Sequence, residues 1–188
     1  MSYFFNNYPQ IEYDLLKNKQ PRTIQNILSR YKLLDILKNK TALYHKHDIE
    51  EDQSAQLIAD KYYGDITLDW VIYITNDILD PLYDWPLGYY NFLNYIKSKY
   101  DTVESAMNTT HHYEWIYQTQ SVLYDDTIVP EKIIKVDATT YAGLPVADKR
   151  TVSNYTYEER ENEKKRSIKV LDKMYLGLFL DEAKGIFV

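Results

Sequence analysis

The stretch DQSAQLIADKYYGDITLDWVIYITNDILDPLYDWPL, residues 52–87, decides the fold because it holds two helices with their start and stop signals in place. Ser54 stands where an N-cap accepts a free amide, and Ala55 to about Tyr63 follows with Leu57, Ile58 and Tyr62 facing inward. Gly64 sits where a helix ends. Thr67 can cap the second helix, whose run Leu68-Asp69-Trp70-Val71-Ile72-Tyr73-Ile74 is apolar nearly all round, as in a helix covered on most sides. Asn76-Asp77 stops it, and Asp80-Pro81 makes a turn.

Working outward, Tyr44 to Ile49 reads as a short strand entering the acidic, solvated turn Glu50-Glu51-Asp52. Before it, Ile24, Ile27, Leu28, Tyr31 and Leu34 recur at helical spacing behind Thr23, predicting a helix over 23–38. After it, Tyr89, Phe92, Leu93, Ile96 and Tyr100 give a helix with an aromatic face. Asp101 and Glu104 form a capping pair for a short turn of helix ending near Asn108. The period then changes: His112 to Val122 alternates, with Tyr113, Trp115, Tyr117 and Thr119 on one side of a strand. Lys132 to Val136 is strand-like and leads towards a loop at Ala142-Gly143-Leu144-Pro145. The charged run Glu158 to Arg166 favours a helix by propensity but offers no apolar stripe, whereas Tyr155 with Tyr157 and Ile168 with Val170 alternate. Two strands joined by a charged turn are therefore expected over 153–171. A last helix near Lys173 to Lys184 buries Leu176, Phe179, Leu180 and Ala183.

Residues 3–13 are aromatic, and Pro9 with the paired asparagines opposes a regular helix, so an extended arm is expected. A lone arm cannot bury Tyr3, Phe4, Phe5 and Tyr8 against itself. They need this chain's core or another subunit, and the mobility of untethered termini favours the subunit.

The chain of 188 residues is long enough for one domain with appendages and too short for two large ones. An apolar fraction of 45% with 27% charged residues is that of a folded protein. A net charge of −6 with no basic stripe argues against nucleic acid as a partner. The sequence has no cysteine, which removes disulfides, thiol nucleophiles and Cys-ligated zinc, and fits synthesis in a reducing cytoplasm. The first residues lack the basic start and apolar core of an export signal, and no apolar run approaches the roughly 20 residues of a membrane span. Against 5 glycines stand 20 tyrosines, a residue that covers contact area with few rotors and is enriched at interfaces, though it also fills strands and small cores.

The motifs of phosphate-binding loops, serine-hydrolase elbows and zinc proteases are all missing, so neither catalysis nor a cofactor is expected. His45 with His47 and the adjacent His111-His112 are the only metal-ligand candidates, near Asp48 and Glu50. Ordinary strand histidines explain them more simply, and no metal is expected. Asp69, Asp77, Asp80 and Asp84 lie among aromatics, where a glycosidase would keep its carboxylates, but helix caps and turns account for acids in such positions. The Lys164-Lys165-Arg166 cluster is neutralised locally by Glu158 to Glu163.

The strand, acidic turn and helix pair of residues 44–76 resemble a LysM-type module. Asp52-Gln53-Ser54 leads into Ile58-Ala59-Asp60-Lys61-Tyr62-Tyr63-Gly64-Asp65, and a second helix closes on Asn76. The continuation through Leu68-Asp69-Trp70-Val71-Ile72 and Asp80-Pro81-Leu82-Tyr83-Asp84-Trp85-Pro86-Leu87 resembles the LysM-bearing baseplate wedge proteins of contractile-tailed phages. Weaker patches extend the likeness: Tyr8 to Tyr13, His111-His112-Tyr113-Glu114, Val152 to Tyr155, and Asn162 to Leu171.

This resemblance implies a structural virion protein of the tail baseplate, assembled in the host cytoplasm late in infection. Its partners would be other baseplate wedge proteins and neighbouring wedges, which it clamps together around the hub, with no enzymatic activity, cofactor, nucleic acid, membrane or small-molecule substrate. Glycan-binding LysM modules return through a second strand after the helix pair, whereas Asp84 to Leu87 here leads into a helix. Peptidoglycan binding is therefore the alternative. The expected fold is α+β: an extended arm over 1–22, a helical LysM-like module over 23–110, and a β-rich region ending in a helix over 111–188. Tyr3, Phe4, Phe5 and Tyr8 on the arm, and the exposed edge around Tyr83, Trp85 and Tyr89, are the expected protein-contact anchors.

Overall fold

The computed structural model describes residues 8–14, 16–17, 19–26 and 41–186. In chain order the elements are strands β1 (Gln10–Tyr13), β2 (Arg22–Gln25) and β3 (Tyr44–Asp48), then helices α1 (Ala55–Tyr63), α2 (Asp69–Thr75), α3 (Pro81–Asp84), α4 (Tyr89–Tyr100) and α5 (Val103–Asn108). There follow β4 (Thr110–Gln118), β5 (Ser121–Val122), β6 (Ile128–Val129), β7 (Lys132–Val136), α6 (Ala138–Gly143), β8 (Lys149–Ser153), α7 (Asn154–Lys164), β9 (Ser167–Leu171) and α8 (Lys173–Ile186). The fold is α+β with small antiparallel sheets. Contacts divide it into two compact units: residues up to Pro86 with those from Lys165 onward, and Leu87–Lys164.

In the first unit, α1 forms as its capping signals dictate, whereas α2 starts behind Leu68 with no side-chain cap. Ser54 accepts the Leu57 amide at 3.3 Å, and Gly64 closes α1 in the left-handed region at φ 78°, its N–H donating to Asp60 O. Leu57, expected to face inward, is exposed. Thr67, expected to cap the second helix, lies instead in a 3-10 turn, Ile66–Leu68, that Asp65 caps: the amide and hydroxyl of Thr67 both donate to Asp65 Oδ1. Ile58, Ala59, Val71 and Ile72 pack against Ile168, Val170 and Leu171 of β9 and Leu176 of α8.

The expected absence of a return strand is overturned. β9 pairs antiparallel with β3, from Tyr44 opposite Leu171 to Asp48 opposite Ser167, so that within this unit a strand, the helix pair and the short α3 are followed by a second strand. The local sequence after α2 hid this because the returning strand lies beyond the whole second unit. Asn76 locks it in place: its side-chain amide donates to Lys169 O at 2.8 Å while its carbonyl accepts the Lys169 N–H at 2.8 Å. One side chain thus satisfies both backbone groups of Lys169 on the outer edge of β9, which would otherwise stand open to pairing. Tyr63 adds a hydroxyl bond to Leu171 O at 3.2 Å.

The helix expected over 23–38 is corrected at its start. Thr23 and Ile24 lie in β2, paired antiparallel with β1 so that Ile11 faces Ile24, and Asn26 N–H donates to Pro9 O. The described part of the arm, Gln10–Tyr13, is therefore one half of a hairpin. The remainder of that helix, residues 27–38, lies outside the described residues.

The second unit sets a three-stranded sheet, ordered β7-β4-β8, with helices α4, α5 and α7. Phe92, Ile96 and Ala106 form its small core, with Leu87, Tyr100, Val103 and Tyr155 packed around them. Thr102, not Asp101, caps α5 by accepting the Ser105 amide at 3.0 Å. The loop expected at 142–145 begins as the end of α6, which Asp137 caps through the amides of Thr139 and Thr140.

The largest correction is α7, a helix where the first of two strands and the charged turn were expected; the second strand, with Ile168 and Val170, is present as β9. The helix lacks an apolar stripe because its buried positions are polar: Glu158 and Asn162, four apart, both point inward. Tyr95 and Tyr100 donate to Glu158 at 3.0 and 2.7 Å, and Lys99 at 2.7 Å. Burial alone would raise the Glu158 carboxyl, but these three donors hold it below the ordinary range. Asn162 brackets the Leu87 backbone, accepting its N–H at 2.7 Å and donating to its carbonyl at 2.9 Å.

Asn76→Ala is expected to destabilise the first unit by about 2–3 kcal/mol, since it leaves Lys169 with two open backbone groups. Hydrogen exchange at the β9 amides should accelerate correspondingly while exchange in β4 stays unchanged. Gly64→Ala should cost about 1 kcal/mol in the same measurement, from backbone strain alone, because nothing lies within 4 Å of the added Cβ.

Candidate protein-contact surfaces

Around α3 the chain closes a tight, self-bonded turn. Asp80 caps α3 by accepting the Leu82 amide at 2.9 Å, with Pro81 at the first turn, where a missing N–H is harmless. Asp84 reaches back and accepts the amides of Leu79 and Asp80 at 3.1 and 3.0 Å. Those two N–H groups hold its carboxyl below the ordinary carboxylate range. With both acids turned inward onto the backbone, the apolar side chains are turned out: Leu79 is 71% exposed, Leu82 79% and Tyr83 75%.

The sequence-predicted anchors separate into distinct environments. Tyr83 projects from this turn. Trp85 is partly buried and faces the first unit's core: its indole N–H donates to Gln53 O at 2.9 Å and its ring meets Tyr73 edge-on at 5.9 Å. Gln53 in turn bonds His47 Nε2 at 2.9 Å, so Trp85 ties the α3 turn to the turn between β3 and α1. Tyr89 opens α4 in the other unit, exposed and edge-on to the equally exposed Tyr90 at 5.5 Å. Tyr8 is buried. Tyr3, Phe4 and Phe5 lie outside the described residues.

Nothing in the sequence marks Leu79, Leu82 and Tyr90 as contact residues, since helical and strand periods pass over apolar residues bracketing a Pro-capped turn. Met174 and Leu178, four apart on α8, form another exposed apolar pair.

The histidines have local partners. His45 Nε2 meets Asp172 Oδ2 at 2.8 Å, and His47 lies between Gln53 and the Tyr62 hydroxyl. Among the described residues no group of three His, Asp or Glu side chains is arranged to hold a metal ion. Of the four acids near the aromatics, Asp80 and Asp84 bind backbone amides as above. Asp69 accepts the Trp70 amide at 2.9 Å, and burial raises its carboxyl against that bond. Asp77 adopts φ 58° at the end of α2.

A charged network underlies the β4 sheet. Glu114 is buried, with Arg160 Nη1 at 2.6 Å, His112 Nε2 at 3.3 Å and Arg150 Nη1 at 3.6 Å. Arg150 also forks onto Glu131, with both bonds at 2.9 Å. Burial lowers the His112 imidazole below its usual range, Lys135 and His111 push the same way, and Glu114 opposes them. His112 is therefore neutral at pH 7.

A depressed histidine makes the unfolded chain take up the proton first. The contribution of this site is intact above about pH 6.5 and is lost as pH falls through the folded-state value. Unfolding at pH 7 and pH 5 should show the second unit weakened at the lower pH, and His112→Gln should flatten that dependence. Glu158→Ala, leaving two tyrosine hydroxyls without their acceptor, should cost the same unit about 2–4 kcal/mol by thermal unfolding.

The described helices include none long and apolar enough to cross a membrane. No curated protein matches the chain. The family model described as base plate wedge protein 53 matches residues 3–184, nearly the whole chain and both units. The chain belongs to the base plate wedge protein 53 family, and is a structural component of the phage baseplate.

Proposed function

We propose that this chain is a clamp that joins neighbouring wedges around the hub while the tail is assembled in the host cytoplasm, without catalysis of its own. The observation that carries this reading is the α3 turn. Three large apolar side chains stand in water on a turn whose polar groups are already bonded to one another, so docking would cost little ordering entropy. Leu79, Leu82 and Tyr83 then serve as one set of anchors, braced from behind by Trp85, and Tyr89 with Tyr90 as another. Tyr3, Phe4 and Phe5 complete the proposal as arm contacts.

The LysM-like character belongs to the same reading. A strand and helix pair closed, after the short α3, by a second strand antiparallel to the first supports it. It also gives the alternative function fresh support, because the missing return strand was the argument against glycan binding. Peptidoglycan recognition therefore stands as the second reading and calls for its own test.

Co-expression with the other wedge proteins of the same phage, followed by affinity capture, should recover the chain in a stable complex. Replacing Leu79, Leu82 and Tyr83 together by Ser should weaken that complex at least tenfold without altering the melting temperature, since all three are exposed. Recovery of the wild-type chain as a free monomer in the presence of every wedge protein would overturn the clamp. In parallel, the purified chain should stay in the supernatant with sedimented peptidoglycan; pelleting would favour the glycan reading.

A further inference from the structure

Beyond the main sheet of the second unit the chain runs on as a narrow ribbon, in which β5 and β6 pair with Ser121 opposite Val129 and Val122 opposite Ile128. A two-stranded ribbon buries little by itself. Val122 and Ile128 share one face and are each 62% exposed, Leu123 is 51% exposed, and Tyr124 at the tip is fully exposed. Four large apolar side chains thus stand in water at the end of one projection.

The tip is nevertheless held in shape. Leu123 N–H donates to Thr127 O at 2.9 Å and Asp126 N–H to Leu123 O at 3.1 Å. Thr127 N–H donates to Asp125 Oδ1 at 3.1 Å. Asp126 takes the left-handed conformation at φ 61°, which aspartate tolerates better than most residues. Such a tip is ordered before it meets anything, which lowers the entropy lost on docking.

Its charge selects the occupant. From Thr119 to Glu131 the ribbon carries Asp125, Asp126 and Glu131 with no Lys or Arg. Glu131 is neutralised by the Arg150 fork, which leaves the two tip aspartates as the uncompensated charge. The Thr127 hydroxyl and amide hold Asp125 below its ordinary range, so it is ionised at neutral pH. A second copy of this tip would bring like charges together, and an anionic lipid or nucleic-acid surface would repel it.

We infer that the ribbon tip, residues 121–129, inserts into an apolar groove rimmed by Lys or Arg on a different protein of the baseplate. Tyr124 and Leu123 fill the groove, and Asp125 and Asp126 meet its rim. So short a segment cannot form a free-standing interface of roughly 800 Å² a side, so it acts as a finger beside larger contacts. The inference rests on the baseplate reading only for where the partner is sought.

The test uses the full chain co-expressed with the other wedge proteins, with the photo-crosslinker benzoylphenylalanine at position 124, or at the exposed Val146 as control. Irradiation is expected to join position 124, and not position 146, to one other wedge protein at a segment where Lys or Arg flanks apolar residues. Leu123→Ser with Tyr124→Ser, and separately Asp125→Lys with Asp126→Lys, should each weaken co-purification at least tenfold while leaving the melting temperature unchanged. The charge-reversed pair should also lose the wild type's sensitivity to added salt. Co-purification that persists with no crosslink from position 124, with a crosslink only between copies of this chain, or with equal yield from position 146 overturns the finger and leaves the clamp standing. Failure of the wild-type chain to associate at all overturns both.

Discussion

The first unit depends on one pairing, that of β3 with β9. Ile168, Val170 and Leu171 lie against Ile58, Ala59, Val71 and Ile72, and their burial contributes roughly 5–9 kcal/mol at about 1.5–3 kcal/mol for each large apolar side chain. The stability of a whole domain is only about 5–15 kcal/mol. The helix pair and its first strand therefore do not make a stable body without the last one. Asn76 and Tyr63 reach from the two helices to the same strand, so the helices grip its backbone as well as its side chains.

The second unit solves a similar problem with polar groups. Asn162 brackets Leu87 much as Asn76 brackets Lys169: in each case one amide side chain presents a donor and an acceptor to a single residue's backbone, as a neighbouring strand would. The Leu87 bracket also holds the start of the unit beside its last helix, which lets so long a segment be inserted between α3 and β9. Its core of Phe92, Ile96 and Ala106 is small, and the clusters around Glu158 and Glu114 hold the helices and sheet together around it. Such clusters are specific in geometry and sensitive to protonation, and through His112 they give this unit an element that weakens as pH falls below about 6.5.

These differences explain what could be read in the sequence. The α1–α2 pair was legible because Ser54, the stop at Gly64 and the apolar spacing agree, and the pattern of apolar residues likewise marks α4, β7 and α8. Three features were not legible. β2 carries Ile24 at a spacing that suits a helix, and only its pairing with Ile11 makes it a strand. α7 turns Glu158 and Asn162 inward, so a reading that equates burial with apolar side chains finds no face to bury. β9 looks like any short apolar strand, and nothing local says that its partner lies on the far side of an inserted unit. Among the contact candidates, Tyr83 could be named from composition and motif. Leu79, Leu82 and the tip at Leu123-Tyr124 emerge only when exposure is known, and Trp85 proves to be a brace whose indole is already bonded.

The separation of β3 from β9 also bears on how the chain is made. Between Asp48 and Ser167 the ribosome must add 167 − 48 = 119 residues, which at about 5–20 residues per second takes roughly 6–24 s. Throughout that interval β3 and the inner faces of α1 and α2 lack their partner, while the second unit, contiguous in sequence, can form on its own. The nascent protein therefore matures from its middle outward, and the unit named by its helix pair is the last to close.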